Sequence, residues 1–288
     1  MTVREAWVRS ARRLEAAGVP DAGLEAEVLL RHALGVDRTI FLTLLTEPMP
    51  DSASAALEGY IDRRASMEPL SYITGHREFY GLDIYVTPAV LVPRPETELL
   101  VGHAIKHARD APTATIVDAC TGSGAIAVAI ARNVPGCVLY ATDISERALA
   151  VAEVNRRLHG VADRVCLYHG DLLTPVSGPV DVIVSNPPYL RTGAIDGLAP
   201  EVRREPREAL DGGPDGLDIV RRLFEQASTR LKPGGMLICE IDPDQADAVA
   251  GMGRSAFPGA VVSVENDLAG LKRAVKVCLA PAQVGEVQ

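Results

Sequence analysis

From residue 96 to residue 279 the chain alternates between short apolar runs and stretches with helical periodicity. Apolar runs of this length, bounded by turn residues, are typical of buried strands, and their alternation with helices is typical of a parallel sheet. We therefore predict an α/β domain with a Rossmann-like, seven-stranded, mostly parallel sheet. The predicted strands are residues 115–120, 137–142, 164–168, 180–185, 236–241, 260–266 and 272–279.

The helices of this domain are predicted to follow Pro95 and Gly124 and to cover residues 145–158 and 215–231. Lys232-Pro-Gly-Gly235 is predicted to form a turn between the last of these helices and the next strand, since Pro-Gly pairs favour turns. No helix is predicted between the strands at 236–241 and 260–266.

Two shorter regions precede the sheet domain. Within the first 65 residues apolar side chains recur at helical spacing, as at Val3, Trp7 and Ala11, which places them on one helix face. Two β-rich runs around Gly81 predict a hairpin that ends at a proline-rich connector. We predict a helical bundle over residues 1–68, a β-hairpin connector over 69–95, the sheet domain over 96–280 and a flexible tail over 281–288.

The chain carries 29 Lys and Arg residues against 38 Asp and Glu residues, a formal net charge of −9. This acidic balance argues against a protein whose main partner is duplex DNA, because phosphate neutralisation dominates such binding. The longest apolar run, Ala125–Ala131, is far shorter than a membrane span, and the first ten residues lack the apolar stretch of a signal peptide. We expect a cytoplasmic chain without membrane association or direct DNA binding.

The five cysteines are scattered and form no CxxC pair, which indicates reduced thiols rather than disulfides or a zinc site. His103 and His107 lie four residues apart on one predicted helix face, but no HExxH pattern or third ligand accompanies them. We therefore predict no metal site.

A glycine-rich segment, Asp118-Ala-Cys-Thr-Gly-Ser-Gly124, joins the first predicted strand to a helix. Gly122 and Gly124 allow a tight turn against a ligand, and the helix behind them offers free N–H groups. Asp143 ends the next strand, where a carboxylate can accept from both ribose hydroxyls. These features predict a nucleotide cofactor. They leave NAD open, because Gly122-x-Gly124-x-x-Ala127 also fits the loose dinucleotide fingerprint, and a tight turn without a ligand stays open as well.

Two further carboxylates favour S-adenosylmethionine over NAD. Asp118 can order the loop and face the ammonium group of a methionine moiety. Asp171 follows the third strand, where it can accept from an adenine amino group, and the adjacent Leu172 can pack on the purine ring. We therefore predict S-adenosylmethionine as the cofactor and S-adenosylhomocysteine as its product.

The fourth predicted strand ends in Ser185-Asn-Pro-Pro-Tyr189, at the sheet edge where open α/β sheets bind ligands. The side-chain carbonyl of Asn186 and the backbone carbonyl of Pro187 are two adjacent acceptors, which can hold an NH₂ group by both protons. That geometry aims the nitrogen lone pair at a methyl donor, and Tyr189 can cover the flat target group. The motif predicts methyl transfer to a planar amide or amino nitrogen, without deciding which nitrogen.

The combination of Asn186-Pro-Pro-Tyr189 with the glycine loop is similar to the amino-methyltransferases, which include adenine DNA methyltransferases and glutamine protein methyltransferases. Further segments resemble the peptide chain release factor glutamine methyltransferases, from about residue 5 to residue 279. The most specific is Leu91-Val-Pro-Arg-Pro-Glu-Thr-Glu98; the others are 69–75, 78–81, 205–210 and 213–216.

This resemblance implies methylation of the glutamine in the Gly-Gly-Gln motif of class I release factors, with the helical bundle helping to dock that partner. It implies catalytic roles for Asn186, Pro187 and Tyr189. The implied substrate contacts are Asn186, Pro187, Pro188, Tyr189 and Phe79. The implied cofactor contacts are Cys120, Thr121, Gly122, Ser123, Gly124, Asp143, Leu172 and Asn186, beside the Asp118 and Asp171 contacts inferred above.

The sequence departs from the family at two positions. Cys120 stands where the first glycine of the loop is common, and Asp242 stands where a glycine often follows Glu240-Ile241. Two other functions stay open: a glutamine methyltransferase acting on a ribosomal protein, and a non-catalytic S-adenosylmethionine-binding protein. An adenine DNA methyltransferase is disfavoured by the acidic charge and by the lack of a basic target-recognition insertion. We expect a monomer.

Overall fold

The computed structural model describes residues 1–109 and 113–282. Their contacts divide the chain into two compact units. The helical unit comprises Met1–His76 together with Ala199–Arg204, and the sheet unit comprises Arg77–Leu198 together with the chain from Glu205 onward. Residues 283–288 of the predicted tail lie outside the described residues.

The helical unit confirms the predicted N-terminal helical region. Its first helix starts at a capping box, in which Thr2 and Glu5 each bond the other's backbone N–H. Phe41, Leu14 and Leu30 are fully buried at the centre of its apolar core. The five helices are α1 (Val3–Ala16), α2 (Ala22–Leu34), α3 (Arg38–Thr43), α4 (Asp51–Ala65) and α5 (Leu70–Thr74).

A buried arginine lies inside this unit. Arg64 is 1% exposed, and its guanidinium forms ion pairs with Glu25 of α2 and with Glu201. A buried charge is costly unless it is paired, so the two carboxylates are needed to offset the desolvation of the guanidinium. Arg204 also donates to the backbone carbonyl of Ser66. These contacts explain why residues 199–204 belong to the helical unit although the neighbouring chain does not.

The predicted hairpin is confirmed. Strands β1 (His76–Phe79) and β2 (Leu82–Tyr85) form a two-stranded sheet. Tyr80 and Gly81 between them both have positive φ, 52° and 73°. Two consecutive left-handed residues are the requirement of a type I′ turn, whose twist matches that of the flanking strands.

The sheet unit confirms the predicted seven-stranded, mostly parallel sheet. In space the strands run in the order β5-β4-β3-β6-β7-β9-β8; the first five are parallel, and β9 is antiparallel to both of its neighbours. The strands are β3 (Thr115–Ala119), β4 (Val138–Asp143), β5 (Val165–His169), β6 (Val180–Ser185), β7 (Leu231–Glu240), β8 (Val261–Asn266) and β9 (Lys272–Cys278). The helices are α6 (Glu98–Ala108), α7 (Ala125–Asn133), α8 (Glu146–Leu158), α9 (Asp218–Ser228) and α10 (Ala246–Ala256).

The strand order places one switch point in the sheet, because the chain builds outward from β3 through β4 on one side and through β6 on the other. Ala119 pairs with Thr142 of β4 and with Ser185 of β6, and Ser185 pairs with Cys239 of β7. The residues that follow these four strands therefore leave the same edge of the sheet side by side, at the position where open α/β sheets bind ligands.

Helix α10 is absent from the sequence predictions. Its sequence, ADAVAGMGRSA, contains two glycines, which lower helix propensity. The structure shows why one of them is tolerated: a Cβ at Gly253 would lie 3.2 Å from methyl groups of both Val262 and Val277. The glycine lets the helix approach β8 and β9 closely, and tertiary packing outweighs the local preference.

The predicted turn at Lys232-Pro-Gly-Gly235 is wrong, because these residues lie within β7. Val180 of β6 pairs with Leu231, and Val182 pairs with Met236, so the segment between Leu231 and Met236 forms an irregularity in the ladder. Lys232 Nζ donates to Asp181 at 2.8 Å across this irregularity. Pairing with β6 thus continues on both sides of Lys232-Pro-Gly-Gly235, although this sequence favours a turn.

Among the described residues, no helix is both long and apolar enough to cross a membrane. All five cysteines are free thiols.

Phe41→Ala should lower the free energy of unfolding of the helical unit by about 3–5 kcal/mol, the usual cost of removing a fully buried aromatic ring. The Phe41 ring lies edge-on to Trp7, with 5.7 Å between centroids. Trp7 is the only tryptophan of the chain, so its fluorescence during urea unfolding reports this unit. Val8→Ala, on the exposed side of α1, should change the same quantity by less than about 0.5 kcal/mol. An unchanged urea midpoint for Phe41→Ala would contradict this assignment of the core.

Candidate active site

A cleft of about 800 Å³, counted with its open mouth, lies at the carboxyl ends of β3, β4 and β6, entirely within the sheet unit. Its volume is in the range of small-molecule sites. Four segments form its walls: the glycine loop at 120–126, residues 143–148 after β4, Asn186 with Pro188 after β6, and the stretch 89–97 that follows the hairpin. Phe79, Pro206, Glu208 and Ala209 complete the lining.

The glycine loop takes the left-handed backbone conformation three times, at Cys120 (φ 60°), Gly122 (φ 55°) and Gly124 (φ 79°). Gly124 also has little room for a side chain, because a Cβ would lie 3.1 Å from Cβ of Ala152 in α8. Cys120 adopts this conformation although it carries a side chain, at a cost of about 1–2 kcal/mol. The substitution of glycine by cysteine noted in the sequence therefore leaves the loop in the conformation that glycine favours.

The Cys120 thiol is neutral at physiological pH. Desolvation raises its pKa well above the ordinary value, and the nearby carboxylates of Asp143 and Asp118 add to the shift. A thiol held in this form is a poor nucleophile. In the cleft lining, Cys120 therefore acts as a small apolar side chain.

Asp118 is fully buried at the end of β3. Its Oδ2 accepts hydrogen bonds from Thr121 Oγ1 at 2.6 Å and from the backbone N–H of Ala127 at 3.1 Å. Burial raises the pKa of this carboxyl to about 7, against the opposing effect of the two hydrogen bonds. Its Oδ1 has no hydrogen-bond partner in the described part of the chain. Asp118 is outside the cleft lining, and it ties the glycine loop to the first turn of α7.

Asp143 ends β4 and lines the cleft. Its Oδ2 accepts from the backbone N–H of Gly122 at 2.8 Å, and its Oδ1 accepts from that of Ser145 at 2.9 Å. Desolvation raises its pKa, an effect that these hydrogen bonds oppose and to which Glu208, also in the lining, adds. Since each carboxylate oxygen can accept more than one bond, the fixed carboxylate keeps acceptor capacity for a ligand.

The structure does not bring Asp171 and Leu172 into the cleft lining with these residues. The Asp171 carboxylate forms an ion pair with Arg222 and accepts from Gln226 Nε2 at 3.4 Å. Leu172 is 4% exposed, has a positive φ of 51° and packs in the hydrophobic core under the sheet. Their contacts with adenine stay predictions.

Of the Asn186-Pro-Pro-Tyr189 motif, Asn186 and Pro188 line the cleft, whereas Pro187 is buried. Tyr189 lies outside the lining, and its hydroxyl donates to Glu240 Oε1 at 3.1 Å. Burial, together with the Glu240 carboxylate, raises the pKa of this phenol above its ordinary value, so the hydroxyl keeps its proton.

Sequence reasoning assigned no role to two residues that hold this motif. Asn186 Nδ2 donates to Thr97 Oγ1 at 3.1 Å, and the Thr97 hydroxyl donates to Glu240 Oε2 at 2.6 Å. Glu240 is 1% exposed at the end of β7. The sequence does contain a signal for Glu240, because it is an acidic residue at the end of an apolar strand. That strand lies beside β6, the strand that Asn186 follows.

Asn155 of α8 is a third residue to which sequence reasoning assigned no role, and it supports the glycine loop. It is fully buried; its Nδ2 donates to the carbonyls of Tyr85 and Ser123, and its Oδ1 accepts from Tyr85 N–H, all at 2.8 Å. One side chain thereby fixes the end of β2 to the glycine loop. Phe79 of the same hairpin is buried and lines the cleft, and its contact with the substrate stays a prediction.

Two solved structures share this fold at low sequence identity, and they bear on the fold alone. A methyltransferase from Pyrococcus furiosus superposes with a TM-score of 0.53 at 20% identity, covering 76% of this chain and 98% of that chain. A 16S rRNA N2 G1207 methyltransferase of Thermus thermophilus, solved with AdoMet and guanosine, gives a TM-score of 0.50 at 16% identity, covering 71% and 49%.

Sequence comparisons give the family. Residues 5–75 match the PrmC N-terminal domain family, and residues 95–246 match the methyltransferase small domain family. A release factor glutamine methyltransferase of Moorella thermoacetica is 47% identical, covering 95% of this chain and 97% of its own. The enzyme of that name from Deinococcus radiodurans is 40% identical, covering 96% and 98%. The chain belongs to the release factor glutamine methyltransferase family.

Proposed function

We propose that this protein transfers a methyl group from S-adenosylmethionine to the side-chain amide nitrogen of the glutamine in the Gly-Gly-Gln motif of class I release factors. The observation that carries the proposal is the position of Asn186, whose amide lines the same cleft as the glycine loop and Asp143. Membership of the family supplies the substrate class, because the relatives are named for it.

The residues of the cleft fit S-adenosylmethionine, which supplies an electrophilic methyl group on a sulfonium when bound. Asp143 presents a carboxylate whose orientation two backbone N–H groups fix, suited to a pair of ribose hydroxyls. The buried Asp118 Oδ1, without a partner among the described residues, suits a cationic donor. Thr121, Gly122 and Ser123 of the glycine loop line the cleft with Asp143. We assign cofactor binding to these residues and to Cys120 and Gly124 of the same loop.

The substrate amide is held by acceptors on either side of its NH₂ group. Asn186 Nδ2 is committed to Thr97, so its Oδ1 is the group left to accept one proton of the incoming amide. The backbone carbonyl of Pro187 accepts the other. An amide nitrogen is a weak nucleophile because its lone pair is delocalised, and orientation against the methyl donor must supply much of the catalysis, up to about 7–11 kcal/mol.

The substrate side of the cleft is apolar. Phe79, Val90, Leu91 and Pro188 contribute to its lining. An apolar wall excludes water, which would otherwise compete for the acceptors of Asn186 and Pro187, and it strengthens the hydrogen bonds made there. Tyr189, which ends the same motif, is fixed by the hydrogen bond from its hydroxyl to Glu240.

We assign the predicted docking role to the helical unit and propose that the protein acts in the cytoplasm as a monomer. A ribosomal protein substrate and a non-catalytic role are not favoured by the family. Both are outcomes of the following experiment.

A purified class I release factor, incubated with this protein and S-adenosylmethionine, should gain one methyl group on the Gly-Gly-Gln glutamine, as seen by intact-mass and peptide mass spectrometry. A methyl group on a ribosomal protein instead would show that the proposed substrate is wrong and that the proposed methyl transfer is right. Cofactor binding without methylation of either would overturn the enzymatic proposal.

Asn186→Ala should lower kcat on the order of 100-fold or more, because it removes a hydrogen bond that counts in the transition state. Binding of S-adenosylhomocysteine, measured by calorimetry, should change much less. Asn133→Ala, at an exposed position at the end of α7, is the matched control and should leave both quantities unchanged. Equal losses in kcat and cofactor affinity would make Asn186 chiefly a cofactor ligand.

Asp143→Ala should weaken S-adenosylhomocysteine binding by about 10–100-fold, the cost of losing hydrogen bonds to a charged group. The kcat at saturating cofactor should change less than the affinity. Asp163→Ala, whose side chain is mostly exposed, provides the control. An unchanged dissociation constant would remove Asp143 from the ribose role.

A further inference from the structure

Beyond the cleft itself, the sheet unit contains a buried chain of hydrogen bonds centred on the Glu240 carboxylate. Oε2 accepts from the Thr97 hydroxyl at 2.6 Å, and Oε1 accepts from the Tyr189 hydroxyl at 3.1 Å. Thr97 Oγ1 in turn accepts from Asn186 Nδ2 at 3.1 Å. Both ends of the Asn186-Pro-Pro-Tyr189 motif therefore connect to one carboxylate.

The chemistry of these groups fixes the direction in which each hydrogen bond of this series is donated. An ionised carboxylate only accepts hydrogen bonds, and a threonine hydroxyl has one proton to give. Because that proton goes to Glu240, the Thr97 oxygen is left as an acceptor and requires a donor from Asn186. The amide of Asn186 must then turn its NH₂ group to Thr97 and its oxygen away from it.

We propose that Glu240 is a positioning residue which, through Thr97, sets the Asn186 amide with its oxygen toward the substrate nitrogen. This inference rests on the proposed function, since the oxygen matters only if the substrate presents an NH₂ group. With the amide reversed, two NH₂ groups would face each other, and the substrate would lose an acceptor. The second carboxylate oxygen fixes Tyr189, so one buried charge orients both ends of the motif.

The environment of Glu240 makes this orientation sensitive to pH. Burial raises the pKa of the carboxyl to about 7, while the bonds from Thr97 and Tyr189 and the charge of Arg273 lower it and Glu96 raises it. Above this pKa the carboxylate accepts both bonds. Below this pKa, the protonated carboxyl can donate to Thr97, and the direction of the hydrogen bonds from Asn186 to Glu240 is reversed. The hydrogen bonds that link Asn186, Thr97, Glu240 and Tyr189, which we call the relay, are therefore complete at high pH and are lost as the pH falls through about 7.

Three substitutions test this hydrogen-bond relay in methylation assays of the 288-residue chain at pH 8. Glu240→Gln and Thr97→Val should each lower kcat by about 10–100-fold, the scale of one charged hydrogen bond, with S-adenosylhomocysteine affinity within about threefold of wild type. Thr97→Ser keeps the hydroxyl and should restore most of the loss seen in Thr97→Val. Glu225→Gln, the same exchange at an exposed position of α9, is the control for Glu240→Gln.

The pH dependence separates positioning from a merely structural role. Wild-type kcat at saturating cofactor should rise with a midpoint near pH 7, and Glu240→Gln should lose most of that rise, whereas Asp118, whose pKa is also about 7, is unchanged in both proteins. Parallel losses of kcat and cofactor affinity in Glu240→Gln, or a kcat within threefold of wild type, would overturn the proposal. Failure of Thr97→Ser to exceed Thr97→Val would overturn it as well.

A readout that needs no substrate distinguishes this proposal from the proposed function. The side-chain ¹⁵N–¹H₂ signals of Asn186, assigned by their loss in Asn186→Ala, should shift with a midpoint near pH 7 in wild type and not in Glu240→Gln. If the protein methylates no release factor but these signals titrate as stated, the relay stands and the substrate is wrong. If it methylates the release factor but the signals do not titrate, the relay is wrong.

Discussion

The parallel pairing of β3 with β4 and β6 is the constraint on which the site depends. Because Ala119 lies opposite both Thr142 and Ser185, the residues after all three strands emerge together. Asp143 can then reach the N–H of Gly122, and Asn186 stands beside the same loop. A slip of one residue in either ladder would turn these side chains to the other face of the sheet and dismantle the cleft.

Much of this architecture could be predicted from the sequence, because apolar periodicity and glycine placement have local causes. The seven strands, the hairpin around Gly81 and the conjunction of the glycine loop with Asp143 and Asn186 follow from such patterns. Helix α10 and the irregular start of β7 did not, since packing of Gly253 and pairing on both sides of Lys232-Pro-Gly-Gly235 outweigh the local preferences.

The supporting residues of the site were harder to predict, because their partners are distant in the chain. Thr97, Asn186 and Glu240 lie in separate elements, and only the sheet order makes them neighbours. Asn155 likewise joins the hairpin to the glycine loop by three bonds that no spacing rule indicates. The position of Asp171 after β5 predicts a contact with adenine, which stays a prediction; in the structure its side chain pairs with Arg222.

The buried Arg64 has a consequence for how the chain is made. One of its two carboxylate partners, Glu201, follows the complete sequence of β3 to β6. During synthesis the helices of residues 1–76 emerge first, yet their arginine has only Glu25 until most of the parallel sheet has left the ribosome. Although its helices lie within residues 1–76, the helical unit therefore reaches its final set of contacts only after residues 199–204 have been made.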